Sequence, residues 1–217
     1  VAVKGEEAAT GAQVKPTAQR NFTDPDSRIM KTADGSYHYS YTGQAVVDED
    51  QQVIVATDLN NTAVDVQQLG PMIENTTETL GRMPAQWTID AGYCSAGNLE
   101  HVREIETGSD GGTEFFIATG RLKHGEKVPD TPRGRIPKNA TAKERMARKL
   151  TTKRGQAVYA RRKAIVEPVF GQIQTRQGKH VLLRGLEQAR QEWNLIAGCH
   201  NLLKLFTVRT AAATAGT

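Results

Sequence analysis

Between residues 37 and 60, in YHYSYTGQAVVDEDQQVIVATDLN, β-branched and aromatic residues alternate with polar ones over about 38–47 and again over about 52–59. The acidic triplet Asp48-Glu49-Asp50 separates the two runs, and the pattern predicts an antiparallel hairpin. The period then changes. Val66, Leu69, Ile73 and Leu80 fall on one face of a helix, and Gly70-Pro71 must start or kink it. A short apolar strand ends at Asp90, a helix follows at about 96–106, and TEFFIAT predicts another strand at 113–119. The last third is helical, with Leu186, Ala189, Trp193, Ile196, His200 and Leu203 at heptad-like spacing. The order β-β-α-β-α-β followed by helices predicts an α/β domain, a mixed sheet flanked by helices. No repeat recurs at a fixed period.

At 217 residues the chain holds one sizeable domain plus arms. No apolar run approaches the ~20 residues of a membrane span. The opening VAVKGEEAATGAQVKPTAQ lacks the charged start and apolar middle of a signal peptide and reads as the loose arm of a fragment. Cys94 and Cys199 form no CxxC pair, which favours a reducing compartment and small buried side chains over a disulfide framework.

Charge changes the picture more. The net charge is only +4, yet residues 1–120 hold 7 Lys+Arg against 18 Asp+Glu, and residues 121–217 hold 21 against 6. Residues 121–163 alone carry 15 basic and 3 acidic side chains, with Pro and Gly scattered through the first half. This reads as a basic, partly irregular insertion, either a solvated surface or a footprint for a phosphate backbone. The chain accordingly divides into an arm (1–20), a hairpin-and-sheet part (21–120), the basic insertion (121–155), C-terminal helices (156–206) and a tail (207–217).

Two acids stand out. Asp90 ends an apolar strand, where an unpaired carboxylate is costly unless something beyond the strand takes it. Glu167 precedes Pro168, which is best tolerated in a first helical turn, so Glu167 is expected near a helix start or a kink, pointing back at the sheet. Acids converging there repel unless a divalent cation neutralises them, and Mg²⁺ held by one or two carboxylates and phosphate oxygens implies phosphoryl transfer. From spacing alone, Asp90 reads equally as a turn or helix-cap residue, and Glu167 as a surface acid paired with Arg162 or Lys163. The five histidines show no zinc spacing, and neither a phosphate-cradling glycine loop nor a dinucleotide fingerprint is present.

Five stretches in order, TDPDSRIMKT, YTGQAVVDEDQQVIVATDLNN, TIDAGYCSAGNLE, YARRKAIVEPVFGQIQ and LLRGLEQARQEWNLIAGCHNLLKLF, resemble the transposase DDE domain of bacterial insertion sequences over about residues 21–206. The resemblance implies a ribonuclease-H-like fold and an Asp-Asp-Glu triad that uses two Mg²⁺ or Mn²⁺ ions for phosphodiester cleavage and strand transfer. It makes Asp90 and Glu167 the catalytic, metal-binding acids and Tyr159, Arg161, Arg162 and Lys163 the DNA-binding residues. It also implies double-stranded DNA as partner, a homodimer assembled on that DNA, no membrane, and a cytoplasmic, nucleoid-associated location.

The chain departs from the family pattern in two places. Gln174 stands where the Tyr-Arg-Glu-Lys signature has its Lys. No Asp-Gly-Thr-like motif supplies the first Asp, for which Asp24 and Asp26 are the nearest substitutes; Asp48, Asp58 and Asp65 read as turn or helix-entry acids. The fold is therefore expected to miss its first strand. A DNA-binding remnant without the triad and a ribonuclease-H-like nuclease that cuts without joining are the alternatives to a transposase.

Overall fold

The computed structural model describes residues 19–32, 35–108, 112–120, 130–178 and 180–215, with side chains as far as 210. The start of the basic insertion, 121–129, lies outside them, as does most of the arm. The architecture is α/β, in the order β1 (Arg28–Lys31), β2 (Tyr37–Ser40), β3 (Thr42–Val47), β4 (Ile54–Asn60), α1 (Leu69–Leu80), β5 (Gln86–Ile89), α2 (Ala96–Gly108), β6 (Glu114–Ile117), α3 (Ala142–Thr151), α4 (Lys153–Gln177) and α5 (Leu186–Ala215).

The hairpin forms as its alternation predicts. β3 and β4 pair antiparallel from Thr42↔Asn60 to Val47↔Ile54, with a register shift at Val46/Val47. Asp48 shapes the turn by accepting the amides of Asp50 (3.0 Å), Gln51 (2.9 Å) and Val53. The run expected to begin at 38 is two strands, because the chain changes partner at Tyr41. Residues 37–40 pair with β1, while the Tyr41 hydroxyl turns to the Asp24 carboxylate at 2.8 Å.

α1 starts at Leu69, which places Pro71 in the first turn, where its missing amide costs nothing. It ends at Gly81, whose φ of 65° lets its amide reach the Glu78 carbonyl. Leu69, Met72, Ile73 and Thr76 are its buried face, and Leu80 is exposed rather than inward. β5 and β6 pair in parallel, joined by α2 as a crossover. Within the basic region a capping box between Thr141 and Glu144 starts α3. Thr152, accepting the Gly155 amide at 3.0 Å, starts α4 one residue after α3 ends.

Pro168 lies inside the 25-residue α4, so of the helix start or kink expected beside Glu167 the start is excluded. A proline there deprives the carbonyl four residues back of its helical donor. That carbonyl, Ala164 O, is taken by Gln52 Nε2 at 2.9 Å from the hairpin turn.

The described strands do not form one continuous sheet. They make three pairs, β1–β2, β3–β4 and β5–β6, and the core is divided to match. One cluster, built on Trp87, Ile89, Phe115 and Ile117, is covered by α1, α2 and α3. The other packs Ile54 and Leu59 of β4 against Val169 and Ile173 of α4 and Ala189, Trp193 and Ala197 of α5.

Candidate functional site

Asp90 leaves the end of β5 with extended backbone (φ −70°, ψ 160°), and its Oδ1 accepts the Ala91 amide at 2.6 Å. It thereby caps the 3-10 turn Ala91–Tyr93, as a strand-end aspartate can. Its Oδ2 lies 3.6 Å from Arg162 Nη1 of α4, so the acid expected to await a cation is held by a guanidinium instead. Arg162 is only 16% exposed in its side chain, and among the described residues its buried Nε has no hydrogen-bond partner. The guanidinium carbon sits 5.6 Å from the Tyr159 ring centre, a cation–π distance. Burial pushes the Tyr159 phenol up, Arg162 opposes the shift, and Asp90 adds to it.

Neighbouring side chains fix this corner. Gln44 in β3 donates from Nε2 to Asp65 Oδ1 at 2.8 Å and accepts the Tyr93 hydroxyl on Oε1. Burial, with the carboxylates of Asp65 and Asp90 nearby, raises the Tyr93 phenol well above its ordinary range. Gly92 passes close to Asp65, where an added Cβ would stand 2.7 Å from Oδ2. Sequence reasoning missed Gln44 and Tyr93. The available signal was an amide inside the otherwise small and apolar run TGQAVV, where Gln44 is only 3% exposed.

The remaining expected site residues are placed differently. Glu167 is exposed on α4, about 140° round the helix from Arg162. Among the described residues it shares no hydrogen bond, ion pair or cavity with Asp90. Arg161 pairs with Glu49 of the hairpin turn, and Lys163 is exposed without an ion pair among the described residues. Asp24 and Asp26 are engaged elsewhere. Asp24 accepts the Gly185 amide at 3.1 Å and Asp26 the Leu186 amide at 3.0 Å, so the pair caps the start of α5. Asp48 and Asp65 sit at turn and helix entry as read, but Asp58 lies within β4 and binds Arg190 at 2.8 Å.

The described residues contain no group of three or more acids, histidines or cysteines that could hold a metal. Asp90 has one oxygen on an amide and the other on Arg162. As arranged, these residues do not fit a pair of divalent ions, and their chemistry rests on the guanidinium. Arg162 has one nitrogen on a carboxylate it can exchange for a phosphate oxygen, and an Nε donor without a partner.

Among the described residues, no helix is long and apolar enough to cross a membrane. The chain matches no curated protein and no solved structure. The family model described as transposase DDE domain matches residues 9–202, spanning the hairpin, the Asp90 strand end, the basic region, α4 and the first part of α5. With the α/β order and the acid-tipped β5 in place, that match means that the chain belongs to the transposase DDE domain family.

Proposed function

We propose that the chain serves DNA transposition, binding double-stranded DNA and taking part in metal-dependent phosphodiester cleavage and strand transfer of an insertion sequence. The observation that carries this reading is Asp90 at the tip of β5, facing Arg162, inside the family match. Arg162 would take a DNA phosphate in place of the Asp90 carboxylate, with Lys163 and the Arg161 face of α4 adding charge along the backbone. For Asp90 and Glu167 to hold Mg²⁺ or Mn²⁺, Arg162 would have to release Asp90 and Glu167 would have to be brought to it, since the two acids stand apart in this arrangement. The proposed setting is a homodimer assembled on DNA in the bacterial cytoplasm.

A second reading, binding without cutting, is favoured by one arrangement: Asp90 is neutralised by Arg162 while Glu167 faces solvent. The experiment is a DNA-binding titration run beside nicking and strand-transfer assays with Mg²⁺ or Mn²⁺, using duplexes with free 3′ ends and a plasmid target. Cutting that Asp90→Ala and Glu167→Ala both abolish supports catalysis. Binding with no cutting supports the second reading, and no DNA binding at low salt removes both.

A further inference from the structure

Asp24 and Asp26 fasten two loops that are distant in the chain. Asp24 accepts the Gly185 amide and the Tyr41 hydroxyl, and Asp26 accepts the Leu186 amide, so the turn 21–27 is tied to the loop 180–185 that precedes α5. Each loop is also held by itself. In the turn, Asn21 Nδ2 donates to Ser27 Oγ at 3.1 Å and Ser27 Oγ to the Asp24 carbonyl at 2.8 Å. In the loop, the Glu192 carboxylate accepts the amides of both Leu182 and Leu183 at 2.8 Å. Val181 and Leu186 pack inward against the helical core cluster, and Leu182 and Leu183 between them are exposed.

The two tips so built are apolar. Phe22, two residues before Asp24, is 93% exposed, and Leu182, three before Gly185, is 84% exposed, the highest values for large apolar side chains among the described residues. A single exposed apolar residue calls for no account, but two on loops tied to each other make a shared surface. The free charge beside them is basic. Asp24, Asp26 and Glu192 are taken up by backbone amides and Glu187 by Arg190, whereas Arg20, Arg176 and Arg184 are exposed and, among the described residues, form no ion pair.

We propose that the tied loops are a DNA wedge, in which Phe22 and Leu182 enter between base steps of a duplex while Arg20, Arg176 and Arg184 take flanking phosphates. Apolar side chains inserted in this way unstack a step and kink the duplex. Charge decides the occupant. A second copy docked tip to tip would set guanidiniums against guanidiniums, whereas a duplex meets the arginines with phosphates and the apolar tips with base faces. The inference rests on DNA as the partner and needs neither Asp90, Glu167 nor cutting.

The test uses a short duplex labelled at both ends, so that energy transfer reports bending while a titration reports affinity. Phe22→Ser and Leu182→Ser are compared with the natural chain and with Leu202→Ser, which alters a leucine exposed further along α5. Each of the first two should weaken binding about tenfold and lose the bend. Because neither removes a phosphate contact, the slope of log affinity against log salt should stay unchanged, while Arg184→Ala should make it shallower by about 0.9. Leu202→Ser should bind and bend as the natural chain does. No DNA binding at low salt removes the reading on which the wedge rests, and the wedge with it. Binding without bending, or natural affinity and bend in both Phe22→Ser and Leu182→Ser, overturns the wedge alone. So does a fall in sedimentation rate of these two variants with DNA affinity intact, which would make the tips an interface between copies.

Discussion

Gly155 shows how little room a single residue can have. A Cβ built there would stand 2.1 Å from the Lys149 carbonyl oxygen and 2.9 Å from the Leu150 Cα, both backbone atoms at the elbow between α3 and α4. Backbone cannot swing aside as a side chain can, so Gly155→Ala must pry the elbow open. Its expected cost is about 1–3 kcal/mol, the range of overpacking, read from urea unfolding. Gly171, in the same helix, has open space around its Cβ position, and Gly171→Ala should stabilise by about 0.5–1 kcal/mol. A finding that both substitutions act alike would mean that the elbow yields to a methyl group.

Tyr93 gives the residue scale a pH dependence. Burial, Asp65 and Asp90 all disfavour its phenolate, so its folded pKa lies above the ordinary 10.0. A raised pKa contributes stability that is complete below the unfolded value and is lost as pH climbs towards the folded one. Unfolding free energy should therefore fall as pH rises past about 10, and Tyr93→Phe should flatten that fall. Identical alkaline curves for the two proteins would place the sensitivity in other groups, such as Tyr41, whose phenol is also raised by burial and by its bond to Asp24.

Elements were legible where one periodicity ran unbroken. The hairpin, α1 and the strand ending at Asp90 were readable because their buried residues repeat locally. What the sequence concealed was every decision made by a partner distant in the chain: the exchange at Tyr41 from β1–β2 to β3–β4, and the Arg162 grip on Asp90. Pro168 is the clearest case. Read locally it marks a helix start or a kink; in the fold it lies inside α4, where Gln52, from the hairpin turn, supplies the donor that proline lacks.

Gln52 holds φ at 58°, an uncommon backbone for a non-glycine residue. It also accepts Lys204 Nζ on Oε1 at 2.9 Å, while its carbonyl meets His200 Nε2 at 3.0 Å. One turn residue thus ties the hairpin to both α4 and α5. Gln52→Ala should cost about 0.5–1.5 kcal/mol in the natural background. In a Pro168→Ala background the new amide can serve the Ala164 carbonyl, so the same change should cost less. A double-mutant cycle measures the difference, and strict additivity would show that the two residues do not share that carbonyl.

At the scale of the whole molecule, the charge asymmetry of the sequence has two uses, and they can be separated. Among the described residues, five ion pairs join a basic residue of the C-terminal half to an acid of the N-terminal half: Lys149–Glu106, Arg154–Glu114, Arg161–Glu49, Arg162–Asp90 and Arg190–Asp58. Part of the excess that reads as a nucleic-acid footprint therefore holds the helices onto the strands. Lys163 is exposed and takes part in none of these pairs. If α4 carries DNA, Lys163→Glu should lower affinity with the urea midpoint unchanged. The slope of log affinity against log salt should become shallower by about 0.9 for each phosphate that the protein no longer neutralises. Arg161→Glu sets a like charge against Glu49 in a pair about half exposed on each side, so it should weaken DNA binding and also lose about 0.5–1 kcal/mol of stability. Measuring both variants in salt-dependent DNA titrations and urea unfolding distinguishes footprint from clamp. DNA affinity and salt slope that survive Lys163→Glu unchanged would remove α4 from the DNA-binding surface and leave its charges as a clamp on the fold.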